Sequence, residues 1–339
     1  MAGGVGSRFW PLSTPSRPKQ LLPLVSGEPL LVEAVARLRP IAPASKTLIL
    51  TNASLVPAIG EMLPDVPREN LIAEPRPSGT AAALTWAALQ IRDRAGGGEN
   101  AIMLSVHADW AVGDAEGFRD TLRRAAAAAA RHESLVTVGV VPSRPDPGFG
   151  YIQPNGEIEP GVRRVERFIE KPDRERAEQM CREGYLWNSG IFVWRVGDFL
   201  NEVRRHTPEI AAALAAHGND AAAFFRAVTP ISVDVGVLER SARVMVMPGD
   251  FGWDDVGTWG ALRRVRTHDH DDNATSGDVI AVASRGNVVH AEDGQVVLYG
   301  VSDLVVVVRD GLVLVTTVDR SSDLKTLIDA LPAPVRELA

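Results

Sequence analysis

Short apolar runs alternate with longer stretches of helical composition in the first part of the chain. The runs KTLILT (46–51), AIMLSV (101–106) and SLVTVGVV (134–141) are typical of buried strands. Between them lie GTAAALTWAALQIRDRA (79–95) and GFRDTLRRAAAAAARH (117–132), which are predicted to be helices. Buried strands separated by helices predict an α/β fold with a parallel, doubly wound sheet.

The pattern becomes richer in strands toward the carboxyl end. LWNSGIFVW (186–194) predicts a strand, and the segments after residue 276 are nearly all short strands. Their close spacing predicts a small sheet or a β-helix-like unit. The polar stretch THDHDDNATSGD (267–278) is interpreted as a solvated linker, with domains expected at 1–266 and 277–331.

Composition limits the classes of function. The chain has 339 residues, is 45% hydrophobic and carries a net charge of -7, which fits a globular protein and argues against a nucleic-acid surface. Cys181 is the single cysteine of the sequence, so no intrachain disulfide can form. No apolar run suits a membrane span and no signal-peptide pattern opens the chain, so a cytoplasmic location is expected.

The chain opens on a loop that is rich in glycine at one end and basic at the other, MAGGVGSRFWPLSTPSRPKQLLPL. Its glycines allow a tight turn whose backbone N–H groups can hold phosphate oxygens, and Arg8 and Lys19 add positive charge. Phe9 stands where a dinucleotide-binding motif has its third glycine, and no Walker-type Gly-Lys-[Ser/Thr] follows. The loop therefore indicates a small anionic ligand of another class.

This loop resembles the signature of the sugar-1-phosphate nucleotidyltransferases, Gly-Gly-x-Gly-Ser-Arg-Phe-x-Pro-Leu-Ser followed by Pro-Lys-Gln. The form found here is most similar to the mannose-1-phosphate guanylyltransferases. The resemblance implies a Rossmann-like (GT-A-like) α/β fold with a mixed, mainly parallel sheet and flanking helices. It also implies transfer of GMP from GTP to mannose 1-phosphate, a requirement for Mg²⁺ and a homodimer. It implies that Arg8 contacts the departing phosphates and Lys19 the transferred phosphate. The residues that it places around the nucleotide are Ala2, Gly3, Gly4 and Gly6.

Members of this family usually have a short apolar strand before the loop, in the middle of the sheet. Here only Met1 and Ala2 precede the glycines. The first strand is therefore expected to be truncated, either because the start site is assigned too far downstream or because the protein is shortened.

Two aspartates match the metal-binding positions of the family. SVHADWAVGD (105–114) and FGWDDVGTW (251–259) resemble its Mg²⁺-binding segments, which implies that Asp109 and Asp255 are the ligands. A carboxylate at the carboxyl end of a strand is well placed to bind this ion. Two alternatives stay open: Asp109 as a helix cap or turn residue, and Asp254 as the second ligand.

Three further segments, GFGYIQ, FIEKP and LWNSGIF, resemble the sugar-binding part of the family. The resemblance implies a backbone contact at Gly150, a hydroxyl acceptor at Glu170, a phosphate-binding Lys171 and a hydroxyl partner at Asn188. A turn glycine, a solvated surface turn and a core strand are the corresponding alternatives.

AEPRPSGTAAA (73–83) resembles the family segment beside the nucleotide base, which implies base contacts at Gly79 and Thr80. Many relatives have Asn-Thr-Ala-Pro-Ala at this place, and Thr80 as a helix cap is an alternative.

Two other functions stay open. A related nucleotidyltransferase could use another sugar or base, such as glucose 1-phosphate, and a non-catalytic subunit could sense sugar nucleotides. Loss of a metal-binding aspartate or a phosphate-binding lysine would favour the sensing subunit, yet Asp109, Asp255, Lys19 and Lys171 are all present.

Overall fold

The computed structural model describes residues 1–3 and 7–337 as a mixed α/β protein. The strands are β1 (Ile49–Asn52), β2 (Leu71–Glu74), β3 (Ile102–Ser105), β4 (Ala111–Val112), β5 (Leu135–Val140), β6 (Tyr151–Glu159), β7 (Val162–Ile169), β8 (Leu186–Arg195), β9 (Val244–Gly249), β10 (Trp253–Asp254), β11 (Ala274–Val282), β12 (Val288–Tyr299), β13 (Leu304–Arg309) and β14 (Leu312–Thr317). The helices are α1 (Leu30–Leu38), α2 (Val56–Met62), α3 (Gly79–Arg94), α4 (Ala115–His132), α5 (Arg174–Arg182), α6 (Val196–His206), α7 (Pro208–His217), α8 (Ala221–Ala227), α9 (Leu262–Val265), α10 (Leu324–Ala330) and α11 (Ala333–Glu337).

The chain divides into two compact units. The first comprises Met1, Arg37–His107 and Asp114–Phe251, and the second comprises Ala2–Ala36, Ala108–Gly113 and Gly252–Ala339. These units differ from the division expected from the sequence, because the signature loop belongs to the same unit as the carboxyl-terminal strands. The expected division at 1–266 and 277–331 stays a prediction about independent domains.

The first compact unit contains a sheet with the order β3-β8-β5-β9-β7-β6. β3, β5, β6 and β9 run in one direction, while β7 and β8 run in the opposite one. The mixed sheet with a majority of strands in one direction confirms the predicted fold class. All residues of β5 are buried, as its uninterrupted apolar sequence predicts. β1 and β2 form a separate parallel pair.

Helix α4 shows how the sequence sets the packing of this unit. Asp114 caps it by accepting hydrogen bonds from the backbone N–H groups of Glu116 and Gly117, at 3.1 and 3.0 Å. Ala125, Ala128 and Ala129 are buried at helical spacing, so the alanine run lets the helix approach its neighbours closely. Met1 belongs to this unit, and its amino group donates to the carbonyl of Val106 at 2.7 Å. The expected truncation of a first strand stays a prediction.

The second compact unit carries the predicted carboxyl-terminal β-rich part. β11, β12 and β13 are parallel, and β14 runs antiparallel to β13. The interpretation of 267–278 as a solvated linker is wrong for its second half, because β11 begins at Ala274 and the buried Asn273 donates through Nδ2 to the carbonyl of Ser284 at 2.8 Å. Asn287 donates in turn to Asn273 Oδ1 at 2.9 Å. Within the described part of the chain, no helix is long and apolar enough to cross a membrane.

His290 is a buried titratable group of this unit. Its Nδ1 lies 2.8 Å from Arg266 Nη2 and must be the unprotonated acceptor, because a guanidinium can only donate. Burial, reinforced by the Arg266 charge, lowers the pKa of His290. The His290 ring and Arg17 lower the pKa of Glu292 to about 2. Since the folded pKa of His290 lies below the unfolded value of about 6.5, acid favours the unfolded state.

We expect the free energy of unfolding to decrease as the pH falls below about 6.5, by at most about 1.4 kcal/mol per pH unit for one proton. His290→Asn should reduce this slope, because the amide oxygen can accept from Arg266 without titrating. Urea unfolding at a series of pH values measures the effect, with the exposed His270→Asn as control. Equal slopes for wild type and His290→Asn between about pH 6.5 and 5, above the titration range of Glu292, would contradict the prediction.

Candidate active site

Three predicted residues of the second compact unit meet at the ammonium group of Lys19. Its Nζ donates to Asp109 Oδ2 at 3.2 Å and to the backbone carbonyl of Asp255 at 2.6 Å. Lys19 is only 7% exposed, whereas the side chain of Asp109 is 36% exposed. The ammonium is thus bound by one carboxylate, that of Asp109, and by one backbone carbonyl, that of Asp255.

A short antiparallel ribbon brings the two aspartates to one place. β4 and β10 pair over two residues each. Asp109 lies just before β4 and Asp255 directly after β10, so antiparallel pairing puts both at the same end of the ribbon. The rings of Trp110 and Trp253 pack edge to face beside them, with centroids 6.3 Å apart. Asp114 is the residue that caps α4, so the helix-cap alternative for Asp109 is wrong, and its role as a metal ligand stays a prediction.

The adjacent aspartates Asp254 and Asp255 have different environments. The Asp254 carboxylate is buried and accepts bonds from Arg264 at 2.7 and 3.0 Å and from the Val256 N–H at 2.9 Å. Both oxygens of Asp254 are therefore bound by the protein, and Asp255 as the metal ligand stays a prediction. Val256 has a φ of +47°, which is strained for a β-branched residue. Such strain directly after Asp255 is typical of functional sites.

The nucleotide loop is described in part. Arg8 is exposed in the 3₁₀ turn Ser7–Phe9. Ala2 is buried and its carbonyl accepts a bond from Gln20 Nε2 at 2.8 Å. Gly3 is exposed, and a Cβ placed there would meet no atom within 4 Å. Gly4 and Gly6, which are also predicted to bind the nucleotide, lie outside the described residues.

The predicted sugar-binding residues lie together in the first compact unit. Gly150 precedes β6, Glu170 follows β7 and Asn188 lies in β8, and β6 pairs with both of the other strands. The backbone N–H of Asn188 donates to the carbonyl of Gly150 at 2.8 Å. A Cβ at Gly150 would come within 2.8 Å of Glu170 Oε2. The Glu170 carboxylate is the end of an exposed, flexible side chain that could move aside, so a requirement for glycine at position 150 stays a prediction.

Lys171 is exposed and conformationally strained. Its Nζ pairs with Glu170 Oε1 at 2.7 Å, and both side chains are about two-thirds exposed. Such an exposed pair contributes roughly 0–1 kcal/mol, so an incoming phosphate can replace Glu170 as the partner of Lys171. The φ of Lys171 is +43°, in the left-handed region that a lysine rarely adopts.

Asp234 is a residue of this group that the sequence analysis missed. Its Oδ1 accepts a bond from Asn188 Nδ2 at 2.8 Å, which fixes the orientation of that amide. Burial, with a smaller contribution from the charge of Glu170, raises the pKa of Asp234. Asp234 begins a π-helical turn, a rare structure that is frequent at functional sites. In the sequence, Asp234 could have been recognised as a single acid inside the apolar run ISVDVGVL.

Gly79 and Thr80 fasten the start of α3 to the segment that precedes Asp234. Gly79 has a φ of +82°, and a Cβ there would lie 2.3 Å from the carbonyl oxygen of Ile231. Thr80 Oγ1 accepts a bond from the Val233 N–H at 2.8 Å. The Thr80 hydroxyl therefore binds a neighbouring segment instead of capping its own helix, in which Ser78 occupies the N-cap position.

Asp109 and Asp255 have the donor chemistry that Mg²⁺ requires. This ion commonly binds one or two carboxylates and completes its shell with water and phosphate oxygens. Asp109 through its carboxylate and Asp255 through its backbone carbonyl already bind one cation, the ammonium of Lys19. Among residues 1–3 and 7–337, no three His, Cys, Asp or Glu side chains are grouped so that they could hold a metal. The donor set fits a metal that binds together with phosphates.

Comparison with known proteins identifies the family. Residues 1–272 match the sequence profile of the nucleotidyl transferase family. The chain is 37% identical to the mannose-1-phosphate guanylyltransferase ManC of Salmonella typhimurium and 35% identical to a mannose-1-phosphate guanylyltransferase of Escherichia coli K12. Each of these alignments covers 99% of this chain and 73% of the relative.

A crystal structure described as mannose-1-phosphate geranyltransferase from Thermus thermophilus has a TM-score of 0.89 at 35% identity, and the match covers 97% of both chains. The chain belongs to the nucleotidyl transferase family and is a nucleotidyltransferase. The resemblance found in the sequence is thereby confirmed, as is the Rossmann-like fold with its carboxyl-terminal β-rich part.

Proposed function

We propose that the chain transfers GMP from GTP to α-D-mannose 1-phosphate, giving GDP-mannose and pyrophosphate. The observation that carries the proposal is the Lys19 ammonium held by Asp109 and by the carbonyl of Asp255. Transfer between two polyanions needs such fixed positive charge beside carboxylates that can bind a metal. The two guanylyltransferase relatives, aligned over 99% of this chain, support the choice of sugar and base.

The chemistry needs positioning and charge stabilisation more than acid–base catalysis. An oxygen of the sugar phosphate attacks the α-phosphorus of the triphosphate and forms a new P–O bond. The bond from the α-phosphorus to the bridging oxygen breaks, and pyrophosphate leaves with that electron pair. The attacking oxygen is already ionised, so no catalytic base is required. Lys19 steadies the transferred phosphate in this scheme, and Arg8 stabilises the departing phosphates.

The remaining predicted residues take the other parts of the two substrates. Lys171 offsets the charge of the sugar phosphate, and Glu170 and Asn188 bind sugar hydroxyls beside Gly150. Asp109 and Asp255 would hold Mg²⁺, which when bound neutralises phosphate charge. The residues proposed to surround the nucleotide are Ala2, Gly3, Gly4, Gly6, Gly79 and Thr80.

Pyrophosphate release tests the proposed function directly. Each of GTP, ATP, UTP and dTTP is combined with mannose 1-phosphate or glucose 1-phosphate, with and without Mg²⁺. We expect release that depends on Mg²⁺ and is fastest with GTP and mannose 1-phosphate. If pyrophosphate is released with a different pair and not with this one, the protein has another nucleotidyltransferase activity. If no pair releases pyrophosphate but the protein binds GDP-mannose, it is a sensor.

We include a homodimer and a cytoplasmic location in the proposal. Exposed apolar side chains on the carboxyl-terminal strands support self-association, among them Val297 (61% exposed), Tyr299 (78%) and Val313 (58%). Light scattering on the purified protein distinguishes one chain from two, and a monomer at all concentrations would remove the dimer from the proposal.

Asp234→Ala is expected to raise the KM for mannose 1-phosphate roughly tenfold, with little effect on the KM for GTP. The reason is that the Asn188 amide loses the partner that orients it. Asp234→Asn retains an acceptor oxygen and should stay close to wild type. Steady-state kinetics with each substrate varied in turn measures the effect, and equal increases in both KM values would count against sugar binding at Asn188.

A further inference from the structure

We propose that Arg309, at the end of β13, is a positioning residue for the nucleotide loop. This inference rests on the proposed function, because it takes the amino-terminal loop to bind the triphosphate. The Arg309 guanidinium donates through Nη1 to the carbonyls of Pro11 and Leu12, at 3.1 and 2.9 Å. Hydrogen bonds from a charged donor are among the stronger ones in proteins. β13 thus contacts a loop that lies nearly 300 residues earlier in the sequence.

The two bonds act on the turn that follows Arg8. The backbone N–H groups of Leu12 and Ser13 both donate to the carbonyl of Phe9, at 2.8 and 3.1 Å, which closes the turn. Its outer carbonyls, those of Pro11 and Leu12, are the ones that Arg309 binds. Because Arg8 lies directly before this turn, the orientation of the turn determines where the Arg8 side chain is presented.

Arg309 is itself held by neighbouring groups. It pairs with Leu312 in the antiparallel β13–β14 ladder. Its Nε lies 3.1 Å from Asp310 and 3.6 Å from Glu292. Glu292 also accepts two bonds from Arg17, at 2.9 and 2.6 Å, farther along the same loop. The loop is therefore bound at two points by side chains that stand on β-strands, a rigid support for a binding site.

Apolar packing supports the loop independently of Arg309. Phe9, Trp10 and Leu12 are buried in one cluster with Val305 and Val307 of β13. The Trp259 indole N–H donates to the Trp10 carbonyl at 3.1 Å. Since this core does not depend on the guanidinium, a variant of Arg309 should fold, while the carbonyls of Pro11 and Leu12 lose their donor and the outer side of the turn is held less firmly. A positioning role and a purely structural role can therefore be separated.

The test compares Arg309→Ala and Arg309→Lys with Arg320→Ala, an exposed arginine of the same compact unit. Steady-state kinetics gives kcat and both KM values, and thermal unfolding gives the Tm. We expect Arg309→Ala to raise the KM for GTP roughly tenfold and the KM for mannose 1-phosphate by less than about twofold. Arg309→Lys should lie between wild type and the alanine variant, because an ammonium can restore part of the bonding. Arg320→Ala should match wild type.

Two results would overturn the inference: a lower Tm with an unchanged KM for GTP, or equal increases in both KM values. Its failure is distinguishable from failure of the proposed function, because wild type is assayed first with every substrate pair. If wild type prefers another triphosphate, the same comparison is made with that nucleotide. If no pair turns over, calorimetric titration of GTP into wild type and Arg309→Ala decides, and equal affinity or no binding would reject the role of Arg309.

Discussion

Asp255→Asn is expected to lower kcat on the order of a hundredfold with little change in Tm, because it removes a negative charge from the proposed metal site. The substitution retains the backbone contact to Lys19. Lys19 binds the backbone carbonyl of Asp255, and an asparagine retains that carbonyl. Turnover measured over a range of Mg²⁺ concentrations should show that the variant needs more of the ion.

Asp254→Asn, one residue away, provides a matched control with the opposite expected result. Its carboxylate binds Arg264 and the Val256 N–H and is buried. Removing the charge should lower the free energy of unfolding by roughly 1–3 kcal/mol, with the partly exposed Arg264 limiting the loss. Among molecules that remain folded, kcat should stay near wild type. If Asp254→Asn lost Mg²⁺-dependent turnover while Asp255→Asn kept it, the metal ligand would be Asp254.

The fold was predictable where local pattern determines structure. The apolar run at 134–141 became β5, and the helical stretch at 79–95 became α3. The place of β8 was not predictable in this way. Its sequence indicates a strand, but its antiparallel position between β3 and β5 depends on pairing with residues some 50 to 90 positions away. Periodicity within a strand carries no information about such neighbours.

The candidate site was predictable at the level of residues, because its motifs occur as short continuous segments. Their partners were not. The carbonyl of Asp255 as an acceptor for Lys19, and Arg264 as the partner of Asp254, follow from the β4–β10 ribbon and the α9 helix. Asp234 lacked a motif, since a single acid in an apolar run also fits a partly exposed helix.

The sequence does not predict that the carboxyl-terminal strands contribute to the candidate active site, because their composition differs from that of the preceding region. The structure connects them to the signature loop through Arg309, Glu292 and a common apolar cluster. These contacts join residues about 275 to 298 positions apart, and no local pattern marks either end.

Lys19→Met is expected to lower kcat/KM for GTP by roughly a hundredfold or more, since its buried ammonium is held by the Asp109 carboxylate and the Asp255 carbonyl. Methionine keeps an unbranched apolar stem in the same space near Phe9, whose ring centroid lies 6.0 Å from the Lys19 Nζ. The loss of positive charge leaves Asp109 and Asp255 more strongly negative. Mg²⁺ should therefore bind the variant more tightly even though turnover falls.

This opposite change in the two measurements separates lost charge from lost structure. Kinetics reports kcat/KM, and calorimetric titration reports the affinity for Mg²⁺ in the presence of GTP. Collapse of the loop would lower both kcat/KM and the affinity for Mg²⁺. Removal of the charge alone lowers kcat/KM and raises the affinity for Mg²⁺. Lys46→Met, at an exposed lysine in the turn Ala44–Lys46, should leave both unchanged. Weaker Mg²⁺ binding in a Lys19→Met protein with a wild-type Tm would show that Lys19 does not compete with the metal for the two aspartates.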